Sequence, residues 1–359
     1  MVGYYHGYIQ VHKNGYWEEP ILDNGFLTDS TLESKLRNGY GIHHYSARLE
    51  AFALISTGEN TKGCLVSGIE PEKEKQLISL DKRVSQGVYP NHETPLYPIA
   101  LIGEGLANRL KTHLNDTILL LGQGYHGSLA AGKFIIKTIL KFGAPELNAN
   151  ILFITLPEAR KVFGNDLLTT SFVVLPNSIP EASILTGKLS HAIGKEFEVM
   201  EWPQMLPEVD QHIRTDKGSL FIISLVIYLL VASGMLGTLF MMIAERQREF
   251  GILIALGMQR RILFMVLVLE SLLEVILGVS IGILLSIPSV WLLKVHPIRF
   301  GEDLSEMFIR YGFEPIFPAS LKAEIFIQQA ELMIGLALVI SLLPLLKVLS
   351  LDPVKAIKK

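Results

Sequence analysis

Residues Ser219–Ile243 run for 25 positions without a charge, and two more apolar stretches follow, Ile262–Leu293 and about Ile325–Leu346. A helix rising 1.5 Å per residue needs about 20 such residues to cross the ~30 Å hydrocarbon core of a bilayer. A buried helical hairpin is the alternative. It fails because three such segments exceed what the chain's polar residues could cover. The apolar excess, 49% hydrophobic residues with a mean hydropathy of +0.37, is uneven along the chain. Up to about Lys217 the sequence reads as a globular domain, with charges, glycines and short β-rich runs.

Lysines and arginines near the span ends set the orientation. The connector Ala244–Arg261 carries Arg246, Arg248, Arg260 and Arg261, and the tail carries Lys347, Lys355, Lys358 and Lys359. Between the second and third spans, Glu302, Asp303, Glu306, Glu314 and Glu324 outnumber the basic residues. The first connector and the tail are therefore expected in the cytoplasm, with the N-terminal domain outside. The expected fold class is an α+β extracytoplasmic (periplasmic) domain followed by an α-helical membrane domain of three transmembrane helices. The domain covers residues 1–215 and the membrane part 219–349, with spans at about 219–243, 262–293 and 325–346. A cytoplasmic segment 244–261 and tail 350–359 complete the scheme. The chain opens "MVGYYHGYIQ", with neither a signal peptide nor a preceding span to export such a domain. The expectation is that a first transmembrane helix is missing from this sequence, which the DNA upstream of the Met1 codon would reveal.

The net charge of −3 and the lack of a basic tract exclude nucleic acid as a partner. The single cysteine, Cys64, excludes an intrachain disulfide framework and any cysteine-based zinc site. In the outer domain, "GYIQVH" (Gly7–His12) and "TILLLG" (Thr117–Gly122) read as strands. "GEGLANRLKTHL" (Gly103–Leu114) and "EASILTGKLSHAIG" (Glu181–Gly194) have helical spacing. Two lobes are expected, with Glu70–Pro95 as a variable insert or linker. "GQGYHG" (Gly122–Gly127) fits G-x-G-x-x-G, and "GSLAAGK" (Gly127–Lys133) fits the start of a P-loop. Phe134 stands where the P-loop needs a serine or threonine, and the β-branched run after it reads as a strand, so a hairpin explains these glycines better. No histidine pair has metal-ligand spacing, and His43–His44 is expected on opposite faces of a strand or at neighbouring positions on a helix, a poor chelator either way. No catalytic serine or cysteine motif is present, so no catalytic, cofactor-binding or metal residue is assigned.

The connector "AERQREFGILIALGMQRR" carries the strongest functional signal. On a helix, Phe250, Leu253, Ile254 and Gly257 share one stripe, while Glu245, Arg248, Glu249 and Gln259 lie toward other faces. Such a helix lies on a membrane surface or packs into a groove on a partner. Gly234 to Glu270 closely resembles the FtsX-like permeases, the transmembrane subunits of MacB- and LolCDE-type ABC transporters. The pattern E-R-x-R-E-[IF]-G-I-x-x-A-[LIV]-G is matched in register by Glu245, Arg246, Arg248, Glu249, Phe250, Gly251, Ile252, Ala255, Leu256 and Gly257, and the intramembrane glutamate by Glu270. The ending "PLLKVLSLDPVKAI", with Pro344, Pro353 and Ala356, is similar too. In the outer domain, "GYIQVHKNGYW", "GIEPEKE" (Gly68–Glu74), "IGEGLANRLKTHLNDTILLL" (Ile102–Leu121) and "ILFITLPEARKVFG" (Ile151–Gly164) are most like the lipoprotein-releasing permeases LolC and LolE. The start departs from that family, which has a first span.

The resemblance implies a non-catalytic permease of the inner membrane. Residues 244–261 become a coupling helix seated in a separate cytoplasmic ATPase, with Glu245, Arg246, Arg248, Glu249, Phe250, Gly251, Leu256 and Gly257 as the ATPase-coupling residues. ATP is bound by that partner rather than by this chain. A second permease copy or paralogue, membrane lipid, a lipoprotein substrate and a periplasmic carrier are the other implied partners. Arg248→Glu and Gly257→Trp are expected to disrupt ATPase binding without unfolding the protein. Glu270 and Glu274 stand one turn apart in an apolar helix, where charge facing lipid is costly. Glu270 either sits at the wet cytoplasmic interface or pairs with a polar group on another span or with basic residues at the membrane edge. Two other readings share the same lever, a MacB-like efflux permease and an FtsX-like signalling permease. A membrane-tethered receptor without transport leaves the connector motif unexplained, and a nucleotide-dependent enzyme rests only on the two glycine motifs.

Overall fold

The computed structural model describes residues 2–37, 41–90, 98–301, 304–305, 316–317 and 319–349. The connector residues Glu302, Asp303, Glu306 and Glu314, and the tail residues Pro353, Lys355, Ala356, Lys358 and Lys359, lie outside the described residues. Met1–Gln211 falls in one compact unit and His212–Phe300 in another.

The first unit is built on strands β1 (Ile9–Lys13), β2 (Phe26–Leu27), β3 (Ile42–Ser56), β4 (Thr61–Ile69), β5 (Val84–Gly87) and β6 (Ile99–Gly103). It continues with β7 (Thr117–Gln123), β8 (Leu129–Leu140), β9 (Ile151–Thr155), β10 (Leu168–Thr169), β11 (Ser171–Pro176) and β12 (Phe197–Glu201). Its helices are α1 (Ser30–Arg37), α2 (Pro71–Ile78), α3 (Glu104–Leu110), α4 (Pro145–Asn150), α5 (Leu156–Phe163), α6 (Ala182–Ile193) and α7 (Trp202–Met205).

The residues expected to form two lobes fall in one compact unit with a shared main core, and one long strand runs through it. β3 is 15 residues long and pairs β11 along its first half. Its second half lies between β4 and β7. From there the ladder runs β4–β9–β6–β8–β7 and returns to β3, closing six strands into a ring. Alternation then sorts the side chains. Ala53, Ile55, Val66, Leu120, Phe134 and Ile136 turn inward to the main core, joined by apolar residues of α3 and α5. Gly68 lets α5 approach, since a Cβ there would sit 2.3 Å from the Ala159 methyl. On the outer wall Ile69, Leu101, Ile151 and Phe153 form a second cluster, covered by Leu77 and Ile78 of α2, by Leu80 and by Tyr5.

That second cluster corrects the expectation of an insert. The stretch from Glu70 to Leu80 is integral to the domain, because α2 buries Leu77, Ile78 and Glu74 against the ring. The helix expected over 103–114 ends earlier, at Leu110, where Lys111 takes a left-handed φ of +55° and closes the last turn. β7 and β8 form the hairpin expected of the glycine motifs, and a strand follows its turn. The His126 amide in that turn donates to the Asp23 carboxylate at 2.7 Å. His43 and His44 depart from alternation, with ring centroids 4.2 Å apart. A register shift between Leu175 and Pro176 in the paired strand puts a bulge there, which re-aims the side chains.

The second unit holds three helices long and apolar enough to cross a membrane: α8 (Pro207–Glu245), α10 (Arg260–Val295) and α11 (Ala323–Leu349). Each contains the corresponding expected span. A short helix, α9 (Gln247–Ala255), separates α8 from α10.

Candidate functional site

The geometry around α9 follows from a break at each end. Arg246 leaves helical geometry at φ −94°, ψ 7° and starts the new helix. At the far end Gly257 takes φ +97°, a conformation open to glycine and costly for any residue with a Cβ. The Gly257 amide donates to the Ile254 carbonyl at 3.1 Å, and the Met258 amide to that of Leu253 at 3.0 Å. This paired closure satisfies carbonyls that the helix end would leave orphaned. Gln259 is extended and α10 begins at once.

The faces of α9 differ from the expected single stripe. Phe250 and Gly251 are buried. Phe250 packs with Ile243, Leu263 and Leu267, and Ile254 and Met258 border the same cluster. Leu253 turns away, 37% exposed, with Ile252 at 43% and Leu256 at 80%. The reason is periodicity: Phe250 and Ile254 are one turn apart, whereas Leu253 falls between them and Leu256 on the next ridge. Glu245, Arg248, Glu249 and Gly257 are exposed as well. A keyed inner face and a bare apolar outer ridge flanked by charge thus occupy one short helix.

Arg246 locks this helix to α10. Its Nη1 donates to both carboxylate oxygens of Glu270, at 2.8 and 3.0 Å. Its Nε stands 3.5 Å from Glu249, and its guanidinium lies 5.8 Å from the Phe250 ring centroid. The hydrogen bonds with Glu270 hold the Arg246 guanidinium above the ordinary arginine value. Glu270 therefore has a basic partner at the helix junction. Glu274, one turn further, is exposed and outside this cluster.

Residues 221–353 match the family described as FtsX-like permease C-terminal. That stretch, which holds α9, α10, α11 and most of α8, is therefore similar to the C-terminal part of FtsX-like permeases. The chain is 19% identical over 353 residues to a lipoprotein-releasing system transmembrane protein LolC of Neisseria meningitidis, covering 94% of this chain and 85% of that one. A LolC of Xylella fastidiosa is 21% identical over 251 residues, 68% of this chain and 60% of the relative. Among solved structures, the periplasmic region of MacB from Actinobacillus actinomycetemcomitans aligns at a TM-score of 0.41 and 12% identity. That alignment covers 58% of this chain and 94% of the other. The extracellular domain of YknZ aligns at a TM-score of 0.39 and 14% identity, covering 54% and 100%.

Two polar features of the chain escaped the sequence reading. Arg48 and Glu74 are both fully buried, with Nε and Nη2 of Arg48 each donating to a Glu74 oxygen at 2.7 Å. Nη1 donates to the Tyr5 carbonyl at 2.6 Å. Burial works against the Arg48 charge, but the Glu74 carboxylate outweighs it and keeps the guanidinium protonated. Burial also raises the nearby Glu50 carboxyl above its usual range. Nothing in "SARLEAF" or "PEKEKQ" marks these residues, since the charges look like those of any solvated face. In the membrane unit the Tyr228 hydroxyl donates to the Gln329 Oε1, joining α8 to α11. The one available signal was two polar side chains inside apolar helices.

Proposed function

We propose that this chain is an ABC transporter permease working with a separate cytoplasmic ATPase that binds α9, and that its transported cargo is lipoprotein released toward a periplasmic carrier. The carrying observation is the division of α9 into two faces. Phe250, Gly251 and Arg246 key the helix into α8 and α10, while Ile252, Leu253 and Leu256 form an apolar ridge bordered by Arg248 and Glu249. A partner gripping that ridge moves two spans at once, because the helix cannot slide without breaking the Arg246–Glu270 contact. ATP is held by the partner, and a second permease chain completes the pair. Lipoprotein as cargo rests on the likeness to the LolC proteins. In this reading the protein lies in the inner membrane with α9 and the C-terminus in the cytoplasm, as the basic residues at the span ends require.

The test is mass spectrometry of what co-purifies with the tagged chain from native membranes in mild detergent. An ATPase together with acylated lipoproteins is the expected result. Arg248→Glu and Leu256→Glu are expected to lose the ATPase while keeping the thermal midpoint, since both side chains are exposed. Gly257→Trp is a poorer probe than expected, because its left-handed backbone would reshape the helix junction itself. Recovery of an adaptor and an outer-membrane channel would redirect the cargo assignment to efflux. Absence of any ATPase would reject the coupling role.

A further inference from the structure

The outer wall of the six-strand ring is covered on one side only. Around Leu101, Ile151 and Phe153, α2 and Tyr5 seal it. On the other side Phe52 and Leu54 of β3 are 67% and 52% exposed, with Leu119 and Leu121 of β7 at 47% and 46%. The register makes these one surface: Leu54 is paired with Leu121, Phe52 with Leu65, and Ser56 with Leu119. Between them lies a cavity of about 540 Å³ lined by Phe52, Leu54, Leu65, Leu121, Cys64 and Asn150 among others. An apolar concavity of this kind on a soluble domain marks a contact site.

The lining selects the occupant. Among the described residues no charged side chain borders the cavity. Burial pushes the Cys64 thiol up to about 12, so it stays neutral. The Asn150 amide is committed at both ends, donating to the Glu146 carbonyl at 2.9 Å and standing 3.4 Å from Arg109 Nη1. The backbone offers no free edge, because β3 lies between β4 and β7, and β4 between β3 and β9. A protein partner brings amides and needs about one hydrogen bond per 100–200 Å² of interface, with roughly 20–30 residues a side. Among its described lining residues the cavity has no uncommitted polar side chain beyond the neutral Cys64 thiol, and only a handful of side chains in all, with Ser56 and Lys133 beyond its rim. A hydrocarbon chain needs neither.

We infer that the wall formed by Phe52, Leu54, Leu65 and Leu121 receives an acyl chain of the lipoprotein cargo. The inference rests on the lipoprotein-release reading above and adds where on this chain the lipid part of the cargo is held. Each methylene withdrawn from water contributes about 0.8 kcal/mol, a roughly fourfold gain in occupancy, so a few contacts suffice for a transient hold.

The test uses the full transporter in membranes of cells fed an alkyne-tagged fatty acid. A photoreactive benzoylphenylalanine is placed at Leu54 or Leu121, with exposed Lys188 as the control position. The expected result is a light-dependent adduct with acylated lipoprotein from Leu54 and Leu121 and none from Lys188. In a separate arm, Leu54→Gln with Leu121→Gln is expected to lower lipoprotein release at least roughly fourfold with an unchanged thermal midpoint. Adducts only with phospholipid, only with a second permease chain, or none at all would overturn the inference while co-purification of ATPase and lipoprotein left the parent reading standing. A transporter that purifies with its ATPase but holds no lipoprotein would overturn both.

Discussion

The two units of this protein each contain an arginine bonded to both oxygens of a glutamate, in opposite settings. Arg48 and Glu74 are both 0% exposed, whereas Arg246 and Glu270 are 43% and 35% exposed. The buried pair has lost its water, so each partner depends on the other. The Arg246–Glu270 pair is only half covered by the chain's own side chains, so the fold does not enclose it. Identical chemistry is therefore an enclosed tie in one unit and a half-covered lock between helices in the other.

The largest expected effect is on the buried tie. Glu74→Ala leaves Arg48 charged and dry, and should cost about 3–5 kcal/mol, read as a fall in the thermal midpoint of the outer domain. Arg48→Met combined with Glu74→Leu should recover most of that loss. If the single change costs no more than breaking the Arg246 pair, the contrast between the units collapses.

Acid probes the same unit next. His12 is fully buried with its ring stacked 5.5 Å from Trp17, and burial lowers its pKa from 6.5 to about 4. A histidine held neutral binds fewer protons folded than unfolded. Its contribution to stability is complete above pH 6.5 and is lost as pH falls toward 4, by about 2 kcal/mol at pH 5. Denaturant midpoints at pH 7 and pH 5 measure this, and His12→Phe should flatten part of the slope.

Smaller changes sharpen the other side of the comparison. Gly257→Ala meets no steric obstacle but forces a Cβ into φ +97°, costing about 1 kcal/mol and loosening the α9–α10 junction. Glu270→Gln should change stability by less than ~1 kcal/mol, since the fold leaves Arg246 half uncovered. Transport should nevertheless fall, because the helix junction loses its charged lock. Full activity in Glu270→Gln would remove any need for that charge.

Local patterns carried much of this molecule. Hydropathy alone located α8, α10 and α11, and the β-branched run at Phe134–Leu140 identified a strand after the glycine-rich turn. The motif Glu245–Gly257 marked α9, and an intramembrane glutamate drew attention to Glu270. The facing of α9 was only half legible. Leu253 sits close enough to Phe250 and Ile254 in helical angle to seem part of one stripe, and the packing against Ile243 and Leu263 decided otherwise.

What the sequence by itself determined were features that depend on near neighbours: the apolar spans, the glycine-rich hairpin turn and the sign of the charges at span ends. Tertiary structure alone decided that Arg48 meets Glu74, 26 positions away, and that β7 returns to β3 to close a ring. The physical reason is that alternation tells each strand which face to bury but carries no record of its partner. Pairing is selected by which arrangement buries all those faces together, and only the folded chain makes that comparison.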